Sequence, residues 1–351
     1  MIILFSLTES YAKNFSKISI ENVEFLSFNY ALNDEKHKEV FEKYFNTITH
    51  EDNPFADLNL AYCKYGFFLH VPKNTVIEKP IHVFYLSQNQ EENTFYNTRN
   101  LLIAEAGSKV EVIESHHNFD DTFTFTNSVT EIFVYPNAKA DWHKLQNDSD
   151  TSYLVDNTYA RQEKDSLATV NTFSFGGKLV RNNLDFIHNG ENINSFMNGI
   201  TIINNDQLVD HHTAVHHNFP NCESYQNYKG VYNGKSHGVF NGKVFVDKIA
   251  QKTNAYQQNN NVLLSEGATI DTKPQLEIFA DDVKCSHGCT VGQLDDEALF
   301  YLRARGISKN EARALLLYAF AHDAMQNIDI EPLKLKVSKL LAEKLEVDIE
   351  F

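Results

Sequence analysis

Three short stretches that share one pattern decide the fold: Ala104–Glu111 (AEAGSKVE), Val134–Asp141 (VYPNAKAD) and Leu264–Asp271 (LSEGATID). Each stretch places Gly or Asn at a turn, then a small residue, and then an apolar residue followed by an acidic one that starts the next strand. Gly and Asn tolerate the left-handed backbone that sharp corners between short strands require. The pattern predicts a β-solenoid, in which the strands of successive coils stack on one another.

The sequence around these corners favours an all-β body over residues 63–292. Short β-branched or aromatic runs recur there without a convincing helical segment, which disfavours an alternating βαβ sheet. Asn occurs 37 times in the chain, and 19 of these lie between Asn157 and Asn261. Asparagines stacked at solenoid corners would account for this bias. Because the repeats are loose, a β-sandwich with many loops stays the alternative.

Residues 1–62 are predicted to form an N-terminal helical region. Asn33 and Asp34 can cap a helix there. The apolar stripe of that helix has 3.6-residue spacing and consists of Val40, Phe41, Tyr44, Phe45 and Ile48. The first seven residues lack the basic region of a signal peptide and are predicted as a short strand.

A helical period returns over residues 293–351. Asp295 can cap a first helix, Ser308 with Glu311 forms a capping box for a second, and a third starts near Pro332. Two roles are open for this C-terminal helical region. It could cap the end of the solenoid, or it could dock a partner through exposed apolar faces.

The amino-acid composition argues against two classes of protein, those that bind nucleic acid and those that span a membrane. The chain has 351 residues, with 31 Lys and Arg against 47 Asp and Glu, a formal charge of −16. This balance argues against binding to nucleic acid phosphates, which requires clustered cations. No apolar run approaches the roughly 20 residues of a membrane helix. The four Cys are few and irregular, so we expect free thiols and a cytoplasmic protein without membrane association.

The segment Gly230–Ser236 (GVYNGKS) resembles a phosphate-binding loop only superficially. Three residues separate its glycines where the P-loop has four, and no helix follows. The same Asn-Gly-Lys recurs at Asn241–Lys243, so both are predicted as turns between strands. We therefore expect no intrinsic nucleotide site.

The densest polar cluster is Asp210–His217 (DHHTAVHH), followed by Cys222. Imidazole and thiolate are ligands that zinc or iron prefers. Alternate residues of a strand share a face, so His212 could converge with His216, or His211 with His217. The spacing matches no closed zinc site, and these histidines could equally be surface or loop residues.

A second cluster is Asp281–Cys289 (DDVKCSHGC). On an extended segment Cys285 and His287 point to one face, and both side chains can bind soft or borderline metals. Two such groups cannot complete a coordination sphere, so a metal site here would need ligands from another chain or a position left open for substrate. A Cys-His nucleophile pair, or a structural turn with a buried thiol, stays open.

Asp281 and Asp282 could also act as the acid pair of a polysaccharide-cleaving β-helix enzyme. Neighbours in a strand face opposite ways, which weakens this interpretation. A carbohydrate-active β-helix enzyme is therefore kept as an alternative, as is a metal-binding β-helix protein built on the 211–217 histidines.

Two stretches closely resemble the SufB/SufD family of iron–sulfur cluster assembly: Ala250–Ser265 (AQKTNAYQQNNNVLLS) and Lys273–Gly288 (KPQLEIFADDVKCSHG). Residues 292–295 and 298–307 continue the similarity. Weaker matches lie upstream at His212, Thr213, His217, Pro220, Cys222, Ser224, Lys229 and Gly230. The DDVKCSHG string resembles the SufD branch of the family, since SufB carries a His-Glu-Ala string at the comparable place.

The resemblance implies a right-handed parallel β-helix with helical N- and C-terminal parts. It implies two partners: SufB, bound through the β-helix core, and the SufC ATPase, bound through the C-terminal helices. A homodimer of the isolated chain is also possible. The chain would then be a scaffold subunit and not an enzyme, which agrees with its lack of a P-loop.

The resemblance also places a transient, nascent iron–sulfur cluster at the SufB interface. By motif, His287 with Cys285 beside it would contribute from this chain, together with thiolates of SufB. His212, His217 and Cys222 are weaker additional candidates. Cys289 departs from the family, which often has Ala at this position. It could add a thiolate, although filling a small pocket is the expected role.

Overall fold

The computed structural model describes residues 2–6, 17–20, 23–48, 53–87, 93–118, 122–325 and 328–345, the first two ranges as backbone only. Over most of these residues the chain winds into a parallel β-helix, and each coil contributes one strand to each of two sheets. The predicted solenoid is confirmed. The β-sandwich alternative is wrong, because sandwiches are built from antiparallel strands, whereas the stacked strands here are parallel.

The strands of the two sheets are named in chain order. Sheet 1 has nine strands, arranged as β1 (Ile2–Ser6), β5 (Ile81–Ser87), β7 (Lys109–Asn118), β9 (Lys139–Gln146), β11 (Leu167–Ser174), β13 (Asn194–Ile203), β15 (Glu223–Tyr232), β17 (Asn254–Leu263) and β19 (Lys284–Gly292). Sheet 2 has ten strands, arranged as β18 (Thr269–Ile278), β16 (His237–Val246), β14 (Leu208–His217), β12 (Leu179–His188), β10 (Ser152–Gln162), β8 (Thr124–Val134), β6 (Thr94–Ala104), β4 (Phe67–Val71), β3 (Val23–Ser27) and β2 (Lys17–Ile20).

One corner of the β-helix is a stack of turns that share a left-handed residue. Successive coils provide this residue at Gly107, Asn137, Asp165, Asn192, Asn221 and Lys252. Corner amides donate to corner carbonyls of the next coil, as from Gly107 to Pro136 at 3.0 Å. All three quoted stretches form turns at corners, and the left-handed residue is confirmed in two of them, at Gly107 and Asn137. The third lies at the opposite corner, where Gly267 is required for space, since a Cβ there would lie 2.7 Å from the carbonyl oxygen of Gly234.

Corner positions explain only part of the Asn bias. Three asparagines between residues 157 and 261 have a left-handed backbone, namely Asn192, Asn205 and Asn221. Six others are buried within strands: Asn157, Asn171, Asn182, Asn198, Asn259 and Asn261. Their amides bridge neighbouring coils, as from Asn198 Nδ2 to Asn171 Oδ1 at 2.8 Å. A side-chain amide both donates and accepts hydrogen bonds, so it can bond with the coil on either side of it.

A fully buried ion pair ties the N-terminal segment to the first coils. Arg99 on β6 donates to Glu131 on β8 at 2.5 Å, and neither side chain is exposed to solvent. The Arg99 guanidinium also donates to Asn46 Oδ1 at 3.2 Å and lies over the Phe45 ring. Asn59 donates to the carbonyl of Thr98 at 2.9 Å. Polar side chains therefore hold the N-terminal region against the first coils of the β-helix.

The described part of the N-terminal region contains three helices, α1 (Phe28–Asn33), α2 (Lys38–Tyr44) and α3 (Pro54–Tyr62). Asp34 caps the single 3-10 turn that leads into α2, and the predicted apolar stripe packs into one cluster with Phe28 and Phe68. The region is less helical than predicted, because β1 to β3 also lie in it. The expected first strand is present and pairs with β5.

The C-terminal region contains α4 (Asp296–Arg303), α5 (Lys309–His322) and α6 (Glu331–Lys344). The Asp295 cap and the Ser308–Glu311 capping box are confirmed. Helices α5 and α6 pack mainly on outward-facing residues of sheet 1, from Ile113 to Val262. They therefore cover a side of the β-helix rather than its final coil. None of the helices in the described ranges combines the length and the apolar character needed to cross a bilayer.

One turn prediction is wrong. Residues 233–236 do form a turn, with Gly234 left-handed. The second Asn-Gly-Lys, however, lies inside β16. A Cβ at Gly242 would come within 2.4 Å of Gln257 Nε2 and 2.8 Å of Phe240 Cζ. Gly242 is thus a packing requirement of the crowded interior and not a turn signal.

Replacement of Arg99 by Ala should destabilise the chain by about 3–5 kcal/mol, because Glu131 would stay buried without its cation. Lys178→Ala is the matched control, since Lys178 pairs with Asp206 at the surface and should change stability little. Urea unfolding followed through the fluorescence of Trp142, the single and buried Trp, measures both. Equal losses in the two variants would contradict the anchoring role of Arg99.

Candidate functional site

The final coil leaves one end of the β-helix open. Strands β18 and β19 are the last of their sheets, so each pairs with a neighbouring strand on one side only. The register places Cys285, His287 and Cys289 of β19 over Ala255, Gln257 and Asn259 of β17. These three β17 residues are buried in the interior. The side chains of the next rung therefore face the open end.

Cys285 is half-buried at this end. It packs against the apolar cluster that contains Val246, Ala255, Leu276 and Val283. Burial raises the pKa of the Cys285 thiol. Cys285 therefore keeps its proton at neutral pH unless a metal ion displaces it.

His287 is exposed, and two glutamines of the preceding coils are stacked beneath it. Below it, Gln257 Nε2 donates to Gln226 Oε1 at 3.0 Å. Gln257 Oε1 is buried and has no hydrogen-bond partner among the described residues. The coil beneath the His287 imidazole thus contains a buried hydrogen-bond acceptor, Gln257 Oε1, that is not used within the described residues.

Cys289 is exposed, so it does not fill a pocket within this chain. Its thiol donates to Thr272 Oγ1 on β18 at 3.2 Å. The Thr272 hydroxyl in turn donates to Asn259 Oδ1 at 2.9 Å. The pocket-filling expectation is wrong for the chain alone, and Thr272 is a neighbour that no sequence pattern indicated.

The spacing on β19 limits what the site can do. Residues two apart on a strand are separated by roughly 6.7 Å, whereas residues four apart are separated by about 13 Å. His287 can therefore share one metal ion with either neighbouring thiol, but the two thiols cannot share one ion. No group of three or more metal-ligating side chains occurs in the described part of the chain. The open end supplies an incomplete set of ligands.

The 210–217 histidines alternate on β14 as predicted, yet they have separate partners. His211 and His217 point inward, where they contact Thr201 at 2.9 Å and Ser224 at 2.8 Å. His212 is paired with Asp210 on the outer face. The structure brings no three of them together as a metal site within the described ranges.

Cys222 lies buried at a corner and donates to the carbonyl of Gly190 at 3.3 Å. Burial raises the pKa of its thiol to about 11. Asp281 and Asp282 lie in the turn between β18 and β19, and both are exposed. Cys222, Asp281 and Asp282 therefore all lie at corners of the β-helix.

A buried charge cluster inside the early coils was not predicted. Lys144 donates to Asp156 at 2.5 Å, while Glu114 accepts from Trp142 Nε1 at 2.8 Å and contacts His116 at 2.8 Å. Glu114 and His116 lie on β7, Trp142 and Lys144 on β9, and Asp156 on β10, and the winding of the coils brings these three strands together. No local pattern in the sequence could have found them.

Comparison with known proteins shows the family of the chain. A family model described as "SUF system FeS cluster assembly, SufBD core domain" matches residues 85–320. A second model, described as "SufBD protein N-terminal region", matches residues 3–83. The chain belongs to the SufBD family of iron–sulfur cluster assembly proteins.

Relatives within the SufBD family include the SufD proteins of two bacteria. The chain is 36% identical over 270 residues to SufD of Escherichia coli, covering 76% of this chain and 64% of that protein. It is 26% identical over 315 residues to SufD of Bacillus subtilis, covering 88% of this chain and 71% of that protein. A SufBD family protein of Synechocystis is 33% identical over 305 residues, covering 85% of this chain and 67% of that protein. The match thus spans about two thirds of these relatives.

Inward-facing histidines make the stability of this SufBD chain depend on pH. Burial lowers the pKa of His211 to about 4 and that of His217 to about 3, and it also lowers the pKa of His188 well below its usual value. Below pH 6.5 the unfolded chain binds protons that the folded chain does not bind. The free energy of unfolding should therefore fall as the pH decreases, by about 2 kcal/mol for His211 alone at pH 5.

Urea unfolding at pH 7 and pH 5 measures this loss. The variant His211→Gln should show a shallower pH dependence than the wild type, whatever its stability at pH 7. His237→Gln is the control, because His237 lies partly in solvent. An unchanged pH dependence in the His211 variant would contradict the explanation.

Proposed function

We propose that this chain is a SufD-type subunit of a SufBCD scaffold complex. The complex builds a nascent iron–sulfur cluster at the interface between the β-helix of this chain and the β-helix of SufB. The observation that carries the proposal is the placement of His287 and Cys285 on an edge strand at the open end of the β-helix. Membership of the SufBD family supports the same role.

The open end has the properties of an interface between two β-helices. The unpaired edges of β18 and β19 present backbone groups that another chain can pair with. Apolar side chains that would be interior in a longer helix are exposed there, with Ile278 37% and Val291 47% accessible. A SufB chain of the same architecture would cover both. In the absence of SufB, a second copy of this chain would cover them as a homodimer.

The incomplete ligand set agrees with a shared cluster. His287 and one thiol give two donors, whereas an iron ion of a cluster needs a fuller sphere of soft ligands. Thiolates of SufB would supply the remaining donors. The cluster is then the cargo of the complex, held transiently, and this subunit is a scaffold rather than an enzyme.

Helix α4 is the surface we assign to SufC. It contains no buried residue, and Phe300 and Tyr301 are 74% and 56% exposed. The Arg305 guanidinium stacks on the Tyr301 ring at 3.5 Å, which holds that ring in place. ATP binding would dimerise two SufC subunits, and α4 to α6 would pass the motion to the interface with SufB.

Three further assignments belong to this proposal. The helical, β-helix and SufC-binding regions correspond to residues 1–62, 63–292 and 293–351. The complex works in the cytoplasm. Neither nucleic acid nor membrane takes part, in keeping with the acidic charge of −16.

The variant His287→Ala tests the cluster site. Co-expressed with SufB- and SufC-type proteins, it should assemble into the complex but carry much less iron and sulfide, since one donor of the shared site is lost. His212→Ala is the matched control and should retain the cluster, because His212 lies on the outer face of sheet 2. Full cluster content in the His287 variant would remove this residue from the mechanism.

Co-purification is the test of the complex itself. A chain that fails to retain either partner would contradict the scaffold role. Stoichiometric metal in the purified chain alone, lost in a His212 variant, would instead favour an independent metal-binding protein.

The double variant Phe300→Ala with Tyr301→Ala tests the SufC surface. It should weaken SufC binding by roughly tenfold or more, because exposed aromatic side chains dominate the energy of such contacts. Leu335→Ala is the control, since Leu335 is an exposed apolar residue on α6. Calorimetric titration with purified SufC measures both variants, and equal affinities would exclude α4 as the docking helix.

A further inference from the structure

We propose that Cys289 is a metal ligand of this half-site, and that it pairs with His287 before Cys285 does. The inference rests on the proposed cluster role of the open end and specifies which thiol of this chain meets the metal first.

The geometry of β19 gives His287 two possible thiol partners. Cys285 and Cys289 lie two residues on either side of it and share its face of the strand. Each pair has the spacing at which two side chains of one strand can reach a common ion, whereas the two thiols are too far apart to do so. The metal held by His287 therefore takes one thiol of this chain, and the surroundings of the two thiols decide which.

Those surroundings differ sharply. Cys285 packs against the same apolar cluster as Leu276 and Val283, so turning it toward an ion would disturb this packing. Cys289 is exposed at the open end, and the contact described for its thiol is the Thr272 hydroxyl. Cys289 can therefore bind a metal ion without disturbing the packed interior.

Thr272 acts as a positioning residue for Cys289. Its hydroxyl donates to Asn259 Oδ1, which also accepts from Asn261 Nδ2 at 2.6 Å. The hydroxyl oxygen is thereby turned to accept the thiol proton, and this fixes the Cys289 side chain across the end of the β-helix. Metal binding replaces the S–H bond by a bond between the thiolate sulfur and the metal, and the proton goes to solvent. No oxidation or reduction is involved.

Site-resolved alkylation of the reduced chain tests this inference. The monomer is isolated by size exclusion and treated with iodoacetamide in the presence or absence of Cd²⁺, a thiol-seeking probe ion. Fragment mass spectrometry then reports each cysteine separately. Without metal, Cys289 should react faster than Cys285. With Cd²⁺, alkylation of Cys289 should slow by roughly tenfold or more, while that of Cys285 changes little.

Variants separate the ligand role from simple exposure. Protection of Cys289 should disappear in His287→Ala and persist in Cys285→Ser. Thr272→Val should reduce the protection without abolishing it. Cys63 and Cys222 serve as internal controls, because neither lies on β19. Protection of Cys285 in place of Cys289, protection that survives the loss of His287, or protection of neither thiol would each overturn the proposal.

The outcome is distinguishable from a failure of the scaffold function. If Cd²⁺ protects Cys285 only, the ligand proposal for Cys289 is wrong, while co-purification with the partners would still support the complex. If Cys289 is protected but the chain retains no partner, the ligand proposal stands and the scaffold role fails.

Discussion

The backbone of a parallel β-helix satisfies its hydrogen bonds from coil to coil, and this one constraint governs the rest of the molecule. Every strand between the two ends of a sheet is paired on both sides, so each coil serves as a template for the next. The same constraint cannot be met at the last coil, where β18 and β19 keep one unpaired edge each. The surface that we propose for cluster assembly lies at this end, where the coil-to-coil pairing stops.

Stacking also determines which side chains can meet. A residue on one strand lies directly above a residue about thirty positions earlier, so contacts follow register and not sequence proximity. The pair Arg99 and Glu131 arises in this way, as does the column that leads from Gln226 through Gln257 to His287. Amides fill many interior positions because each can donate to one coil and accept from the other.

The sequence predicted those features that depend on local chemistry. Left-handed corners at Gly107 and Asn137, the Asp295 cap and the Ser308–Glu311 capping box depend on a few adjacent residues, and all were recognisable. The alternation of β19 also placed Cys285 and His287 on one face. Features that depend on register were missed, including the buried cluster around Lys144 and the contact between Cys289 and Thr272. Gly242 was mistaken for a turn because its neighbour Gln257 comes from the next strand of the other sheet.

The order of the coils along the chain has a consequence for biosynthesis. Each coil contacts mainly its two neighbours, so the structure can grow from the N-terminal end while the chain is still being translated. Strand β19, which carries both His287 and Cys289, is the last strand to be added. A nascent chain would thus present a folded body before the proposed ligands His287 and Cys289 are in place.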